Sequence, residues 1–330
     1  MKHLKSNSMR NSKGVWKKVK KVFVIMIAIL LVAMLAAIFI IGKMVNDGVL
    51  YQNEGNDTKK NSILQLEEWG YDRDAFHSKY DGVDFSIKSA DGNDVPGTIY
   101  LSDEKNPWVI FVHGAGGDRE FGIAYAEVYL QEGYNVLTFD ERGHGDNSDQ
   151  RVTFGIHETH DVEALVEYLK SDYHAESIIL HGQSMGGATA ALYAASEHGN
   201  QNLDACILDC PVPGMKLFLK LMFMEDNCSE DTADAIVWCG ELYSKLFSHL
   251  NYSDGDTIEK AKNIKVPTMV VVSKQDSVCL PEYVSQIYNQ IPVNEKKLVE
   301  YDCAHIKGVF EYKEQYAKEV SQFLDSILVK

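Results

Sequence analysis

The order of apolar and polar positions divides the chain into an apolar N-terminal run, a polar segment and a long region of short, repeated apolar runs. The first run, Val22–Ile41, has twenty residues without charge, proline or glycine. A helix of that length spans about 30 Å, the thickness of a bilayer core. We therefore expect a transmembrane anchor over residues 22–42, which contacts the lipid bilayer through residues 22–41. The polar residues 43–62 predict a tether, within a lead-in over residues 43–79.

Charge around this run predicts its orientation. Residues 1–46 carry nine Lys or Arg and no Asp or Glu, with four lysines directly before the apolar run and only Lys43 closely after it. Positive charge is retained on the cytoplasmic side, so we predict a cytoplasmic tail over residues 1–21, a single-pass anchor in the cell membrane and an extracytoplasmic body. A cleaved signal peptide is the alternative, but its apolar part is normally about 7–15 residues and ends at a small-x-small site.

The body, residues 80–330, alternates strand-like and helix-like patterns. Two strands, Asp84–Ser89 and Thr98–Leu101, flank a turn. Short unbroken apolar runs then suit parallel strands buried on both faces. These runs are Trp108–Val112, Val136–Phe139, Ile178–Leu180, Ala205–Leu208, Thr268–Val272 and Lys297–Glu300. Helical periodicity between them and near the C-terminus predicts an α/β fold, a mostly parallel sheet with helices on both faces.

One interval breaks this alternation. About sixty residues separate the runs at 205–208 and 268–272, too many for a simple crossover. Met215–Met224 and Ala235–Phe247 in this interval have helical, strongly apolar patterns. We interpret residues 211–260 as a helical cap insertion over the carboxyl ends of the strands, where open α/β sheets bind ligands. A longer pair of packing helices is the alternative.

Composition excludes several classes of function. The net charge is −16, and beyond residue 46 there are 23 basic against 48 acidic residues, a net of −25, which disfavours nucleic-acid binding. The six cysteines show neither CxxC pairs nor zinc spacing and do not decide the compartment. His157-Glu-Thr-His160 is one residue short of the zinc-protease motif. We expect no metal and no cofactor.

The motif that indicates chemistry is Gly182-Gln-Ser-Met-Gly-Gly187, between an apolar strand and a helical stretch. A serine on a sharp strand-to-helix turn needs small neighbours, and the glycines provide them. We therefore identify Ser184 as the candidate nucleophile. A serine hydroxyl needs a base, itself oriented by an acid. His305, which follows the last strand-like run, is the candidate base.

Asp276, just beyond the run at 268–272, is the favoured acid. The order Ser, Asp, His with acid and base on the final two strand ends supports this choice, whereas Asp209 and Asp302 are alternatives. Two backbone N–H groups are expected to stabilise the oxyanion, that of Met185 and that of Ala115 in the loop HGAGG at 113–117. A phosphate-binding loop would need G-x-G-x-x-G spacing, which this loop lacks.

Taken together, HGAGG at 113–117, DERGHGDNS at 140–148, GQSMGG at 182–187, Asp276 and His305 resemble the α/β-hydrolase superfamily over about residues 80–328. The resemblance is to its serine-aminopeptidase-like and monoacylglycerol-lipase-like members. It implies a hydrolase in which residues 140–148 pack beside the active site. Related epoxide and haloalkane hydrolases carry Asp at the nucleophile position, so Ser184 disfavours those activities.

We therefore expect a membrane-anchored serine hydrolase that cleaves a carboxylic ester of a small molecule through an acyl-enzyme. The alternatives are a peptidase or amidase acting on a short peptide or amide, and a catalytically silent binding module. A peptidase would need a carboxylate for the substrate's amine, for which Glu225 or Asp226 could serve. The apolar side chains at 217–224 predict instead a neutral, moderately apolar ester substrate. The sequence does not indicate the oligomeric state.

Overall fold

The computed structural model describes residues 2–328, with side chains described from residue 15 onward. The basic side chains of the predicted tail before residue 15 therefore lie outside the described part. The chain divides into two compact units. The smaller combines the chain up to Asn46 with Asp234–Leu250, and the larger combines Asp47–Ala233 with the chain from Asn251 onward.

The larger unit is built on one eight-stranded sheet in the order β1-β2-β4-β3-β5-β6-β7-β8. β2 is antiparallel to both of its neighbours, and the remaining pairs are parallel. The strands are β1 (Gly82–Lys88), β2 (Asp94–Tyr100), β3 (Trp108–Val112), β4 (Asn135–Phe139), β5 (Ile178–Gln183), β6 (Ala205–Asp209), β7 (Thr268–Ser273) and β8 (Lys296–Tyr301). The predicted mostly parallel α/β sheet is confirmed.

The α-helices of the described residues lie before, between and after these strands along the chain. They are α1 (Lys2–Leu50), α2 (Thr58–Glu68), α3 (Arg73–Lys79), α4 (Ile123–Gln131), α5 (Glu158–Asp172), α6 (Met185–Ala194), α7 (Glu197–Asn202), α8 (Met215–Glu225), α9 (Glu230–Tyr243), α10 (Thr257–Ala261), α11 (Pro281–Gln290), α12 (Gly308–Glu311) and α13 (Lys313–Asp325). A π-helical turn, Ser244–Ser248, follows α9, and a 3₁₀ turn, Tyr252–Gly255, precedes α10.

The five strands from β3 to β7 are buried along their whole length, which explains their unbroken apolar runs. On one face, Phe111 of β3 stacks on Tyr125 of α4, with ring centroids 4.6 Å apart. On the other face, Trp108 packs against Tyr173 at the end of α5. Helices therefore cover both faces, so a ligand site is expected at the ends of the strands rather than on a face of the sheet.

The strand order positions the site. β3 lies between β4 and β5. The chain therefore leaves β3 toward β4 on one side, and then crosses back to form β5 on the other side of β3. At such a switch point the loops beyond the carboxyl ends diverge and leave a crevice for a ligand. The loops that follow β3 and β5 are HGAGG and the turn at Ser184.

The segment predicted to be a polar tether is structured differently. α1 continues to Leu50, and α2 occupies residues 58–68 of the larger unit. Asp57 caps α2 by accepting the N–H of Lys60, 3.0 Å away. The polar side chains of Thr58 and Ser62 are buried because they accept backbone N–H groups of Gly145 and Asp118, both at 2.8 Å. Polarity here reflects distant hydrogen bonds rather than an exposed tether.

Within the smaller unit, α1 contains the apolar run. Among the described residues this is one helix long and apolar enough to cross a membrane, with a mean hydropathy of 3.4 in its most apolar window and none of that window buried. Such a helix is compatible with a single-pass anchor or a signal sequence.

Candidate active site

Ser184 lies on a strained turn between β5 and α6. Its φ of 57° is in the left-handed region that side chains other than glycine rarely adopt. Two backbone hydrogen bonds hold the turn. The Ser184 N–H donates to the carbonyl of Asp209 at 2.8 Å, and the Val212 N–H donates to the carbonyl of Ser184 at 3.1 Å. Strain of this kind persists only where the surroundings over-determine it.

Two glycines make the turn possible. A Cβ on Gly182 would lie 2.0 Å from the carbonyl oxygen of Gly186, and a Cβ on Gly186 would lie 2.2 Å from that of Val112. Any side chain there would push α6 away from β5 and β3. The small residues of G-x-S-x-G thus serve close packing between strand and helix, as the motif predicts.

The structure brings the three predicted side chains together. Ser184 Oγ lies 2.8 Å from His305 Nε2, and His305 Nδ1 lies 2.6 Å from Asp276 Oδ2. The second oxygen of Asp276 accepts the N–H groups of Val278 and Cys279, both at 2.8 Å. Since a carboxylate accepts hydrogen bonds, Nδ1 carries the imidazole proton and Nε2 is left to accept the serine O–H.

The loops that present Asp276 and His305 follow β7 and β8, the last two strands of the sheet. They are joined by a hydrogen bond from the Gln275 N–H to the carbonyl of Cys303, at 3.0 Å. Ile306, directly after the histidine, has a φ of 55°, which is unusual for a β-branched residue. The backbone around the histidine is therefore as constrained as that of the serine.

The alternative acids lie elsewhere. Asp209 is fully buried at the end of β6, where one carboxylate oxygen accepts the Tyr316 hydroxyl at 2.8 Å. Burial raises the pKa of Asp209 to about 6. Asp302 accepts the side-chain amide of Gln275 at 3.0 Å. Among the hydrogen bonds of the described residues, His305 Nδ1–H donates to Asp276 and to neither of these alternatives.

The loop at 113–117 lies beside the serine. A Cβ on Gly114 would lie 3.2 Å from Ser184 Cβ, and the Gly114 N–H donates to Gln183 Oε1 at 3.1 Å. In the described part of the chain, the N–H of Ala115 has no hydrogen-bond acceptor. Met185 begins α6, where the first N–H groups have no partner within the helix. Both predicted oxyanion donors therefore belong to segments that border Ser184.

Two buried histidines support that loop. His144 Nε2 accepts the Gly116 N–H at 2.9 Å, and His113 Nε2 accepts the Glu141 N–H at 3.0 Å. Burial lowers the pKa of His113 to about 4 and that of His144 to about 3, so both stay neutral acceptors. The sequence places His144 only within the segment at 140–148, whereas in the structure its hydrogen bond joins that segment to the loop at 113–117.

A cavity of about 250 Å³ opens onto these groups. Its apolar walls include residues of the predicted cap. The lining residues are Gln52, Gln65, Gly114, Ala115, Gly117, Phe121, Phe154, Gln183, Ser184, Met185, Val212, Phe218, Met222, Val278, His305 and Ile306. Among these described lining residues, His305 alone has an ionisable side chain. Glu225 and Asp226 are exposed and do not line it.

Gln52 and Gln65 were missed by sequence reasoning because they lie in the segment predicted to be a tether and lead-in. They add two side-chain amides to the cavity wall, Gln52 from the turn after α1 and Gln65 from α2. Phe154 was also missed, and its ring packs 5.6 Å from that of Phe218 on α8. None of the three belongs to a local motif that could have indicated its place.

One group of possible metal ligands occurs in the described residues, the Cys210 thiol with Asp276 and His305, whose ligand atoms lie within 4.8 Å of one another. Each already has a hydrogen-bond partner, since Cys210 Sγ lies 3.2 Å from Ser273 Oγ. Burial raises the pKa of Cys210 well above its usual range, so the thiol stays protonated. The chemistry of this group fits a hydrogen-bonded network better than a metal site.

Comparison with known proteins agrees with the fold. A family model described as the alpha/beta hydrolase fold matches residues 107–230. The chain is 23% identical to the uncharacterized protein YqkD of Bacillus subtilis over 89% of this chain and 95% of that protein. It is 21% identical to a proline iminopeptidase of Saccharolobus solfataricus, over 69% and 88% of the two chains.

Solved structures give the same result. The esterase Pf2001 of Pyrococcus furiosus matches with a TM-score of 0.62 at 21% identity, over 79% of this chain and 97% of the esterase. An enol-lactonase of Burkholderia xenovorans matches with a TM-score of 0.52 at 19% identity, over 73% and 99%. The sheet order, the strained turn between β5 and α6 and these matches agree that the chain has the α/β-hydrolase fold.

Proposed function

We propose that this protein is a membrane-anchored serine hydrolase that cleaves a carboxylic ester through an acyl-enzyme. Ser184 is the nucleophile, His305 the general base and Asp276 the acid that orients it. The observation that carries the proposal is the 2.8 Å contact between Ser184 Oγ and His305 Nε2 at the floor of an apolar cavity. In this geometry the base can take the proton as the serine oxygen attacks.

The reaction follows from the hydrogen-bond directions. Ser184 Oγ attacks the ester carbonyl while His305 Nε2 accepts the hydroxyl proton, and Asp276 stabilises the imidazolium. The N–H groups of Met185 and Ala115 stabilise the negative charge on the carbonyl oxygen. Collapse of the intermediate expels the alcohol, which takes the proton from His305. Water then attacks the acyl-enzyme, again losing a proton to His305, and releases the carboxylic acid and free Ser184.

The cavity supports an apolar acyl group over an aminoacyl group. Phe154, Phe218 and Met222 provide apolar contacts, whereas a substrate ammonium would need a carboxylate. None of the described lining residues provides one. A volume of about 250 Å³ lies just below the usual range for drug-sized ligands, which favours a small or medium acyl chain.

The anchor is the second part of the proposal. It is supported by the length and apolarity of the run at 22–41, by the absence of buried residues in its most apolar window and by the lysines before it. These lysines orient the N-terminus toward the cytoplasm and the larger unit outward.

Labelling with a fluorophosphonate probe tests the catalytic assignment. The wild-type chain should become labelled on the peptide that contains Ser184, and Ser184→Ala should lose both the label and turnover. The expected loss in kcat is about 10⁴–10⁶-fold, as for the removal of other triad members. Circular dichroism of the variant checks the fold. Labelling of another residue, or substantial turnover by a folded Ser184→Ala protein, would refute the assignment.

A further inference from the structure

The smaller unit carries exposed apolar side chains that its own core does not explain. Trp238 of α9 is 50% exposed, and Leu246 and Phe247 of the following π-helical turn are 61% and 57% exposed. Large apolar side chains gathered on one surface mark a site of interaction with a protein or a membrane. The segment that carries them also contacts α1, so its position along that helix can be stated.

α9 approaches the end of the apolar run closely. A Cβ on Gly42 would lie 2.5 Å from the carbonyl oxygen of Cys239 and 2.8 Å from Tyr243 Cβ, so only glycine permits this approach. The ring of Phe39 lies 5.2 Å from that of Tyr243 and 5.6 Å from that of Phe247. Below these contacts, Ser248 Oγ donates to Asn46 Oδ1 at 3.0 Å.

These contacts set the depth of the surface. Phe39 lies two residues before the end of the run at 22–41, about 3 Å inside it at the rise of an α-helix. A bilayer that contains the run must therefore also meet Phe247, whose exposed ring packs against Phe39. Trp238, next to Cys239, lies at the level of Gly42, the depth at which tryptophan is enriched in membrane proteins.

The polar groups of the segment fit the same location. Lys245 Nζ pairs with Glu241 at 3.0 Å, which partly neutralises the charge of that helical turn, and its long side chain can direct the ammonium toward water. The exposed Trp, Leu and Phe are the residue types that the apolar face of an interfacial helix carries.

We infer that Trp238, Leu246 and Phe247 form a second membrane contact, which lies in the outer interface of the bilayer beside the end of α1. This inference rests on the anchor of the proposed function. Lipid is the expected partner because Phe247 contacts Phe39, which lies within the membrane-spanning run, two residues before its end. The surface and the anchor would then hold the smaller unit to the membrane at two places.

Tryptophan fluorescence in lipid vesicles tests this. The full chain carrying Trp16→Phe is reconstituted in phosphatidylcholine vesicles, with and without bromine on the acyl chains near the headgroups. The fluorescence of Trp238 is the difference in intensity between this protein and the Trp16→Phe/Trp238→Phe protein. It should fall at least about twofold in brominated vesicles, as expected for an interfacial indole. Adding Phe247→Trp to the double variant should restore quenching in brominated vesicles.

The outcomes separate this inference from the anchor itself. Sedimentation with vesicles after alkaline carbonate washing reports the anchor, and a chain that washes off would refute the anchor rather than the surface. A chain that stays bound while Trp238 and Phe247→Trp remain unquenched would overturn the inference. A third outcome would also overturn the inference. Trp238 would be quenched neither by lipid bromine nor by aqueous iodide, and this protection would disappear when the protein is diluted in the membrane. A second copy of the chain would then cover the surface.

Discussion

The cavity wall formed by α8 predicts how activity depends on acyl chain length. Each methylene buried against Phe218, Met222 and Phe154 should contribute about 0.8 kcal/mol to transition-state binding. Since 1.4 kcal/mol is a factor of ten, kcat/KM should rise about fourfold per added carbon until the cavity is filled. The series is p-nitrophenyl acetate through decanoate, measured with the full chain in detergent.

Phe218→Ala is the perturbation that locates the end of the cavity. Removing the ring should shift the optimum to a longer ester, and it should lower kcat/KM by about fourfold for each methylene that loses its contact. Leu217→Ala is the matched control, because Leu217 lies on the same helix but does not line this cavity. That variant should keep the wild-type optimum.

Two results would contradict this reasoning. A flat ester series, with faster cleavage of aminoacyl-p-nitroanilides, would move the proposed substrate from an ester to an amide. An optimum that shifts equally in Phe218→Ala and Leu217→Ala would mean that α8 acts through general destabilisation. The rate of fluorophosphonate labelling at Ser184 serves as the internal check, because neither variant touches the groups that react with the probe.

Three further predictions concern the acids and the anchor. In ester assays, Asp276→Asn should lower kcat by about 10³–10⁴-fold because it disturbs the tautomer of His305, whereas Asp209→Asn should retain most activity. The reverse result would show that Asp209, and not Asp276, is the acid. The folded-state pKa of Asp209, about 6, lies above its ordinary value, so its ionisation opposes folding. The stability of Asp209→Asn relative to wild type should therefore rise by about 2 kcal/mol between pH 4 and 7 in denaturant titrations, and a pH-independent difference would contradict this. External protease should degrade the body in spheroplasts and leave a protected N-terminal fragment, whereas a mature chain that begins after about residue 42 would indicate a cleaved signal.

The strands were predictable because their signal is local. β3 occupies the predicted run Trp108–Val112, and β4 to β8 differ from the predictions by a few residues at their ends. Burial on both faces of a parallel sheet requires an apolar residue at every position, and that pattern is readable without knowledge of the neighbours. The close contacts at Gly182 and Gly186 follow from the motif in the same local way.

What could not be predicted depends on contacts between distant parts of the chain. The turn that follows α1 contributes Gln52 to the cavity, and α2 contributes Gln65. The composition of residues 43–62 nevertheless resembles that of an exposed tether. Ser62 is buried by a hydrogen bond to Asp118, 56 positions later. His144 contacts Gly116 across 28 positions, so its function depends on how two loops meet. No periodicity in one segment encodes such a contact.

Asp209 at the end of β6 and Asp276 shortly after β7 are two candidate acids that the sequence alone does not separate. Both are buried and both follow apolar strands, so residue type and order alone only rank them. Asp276 Oδ2 lies 2.6 Å from His305 Nδ1, and the other oxygen of Asp276 accepts two backbone N–H groups that hold the carboxylate in place. Asp209 accepts the Tyr316 hydroxyl, and burial raises its pKa. Among the described residues the hydrogen-bonded carboxylate of His305 is that of Asp276, so the partners of each aspartate, rather than its position in the motif, favour Asp276.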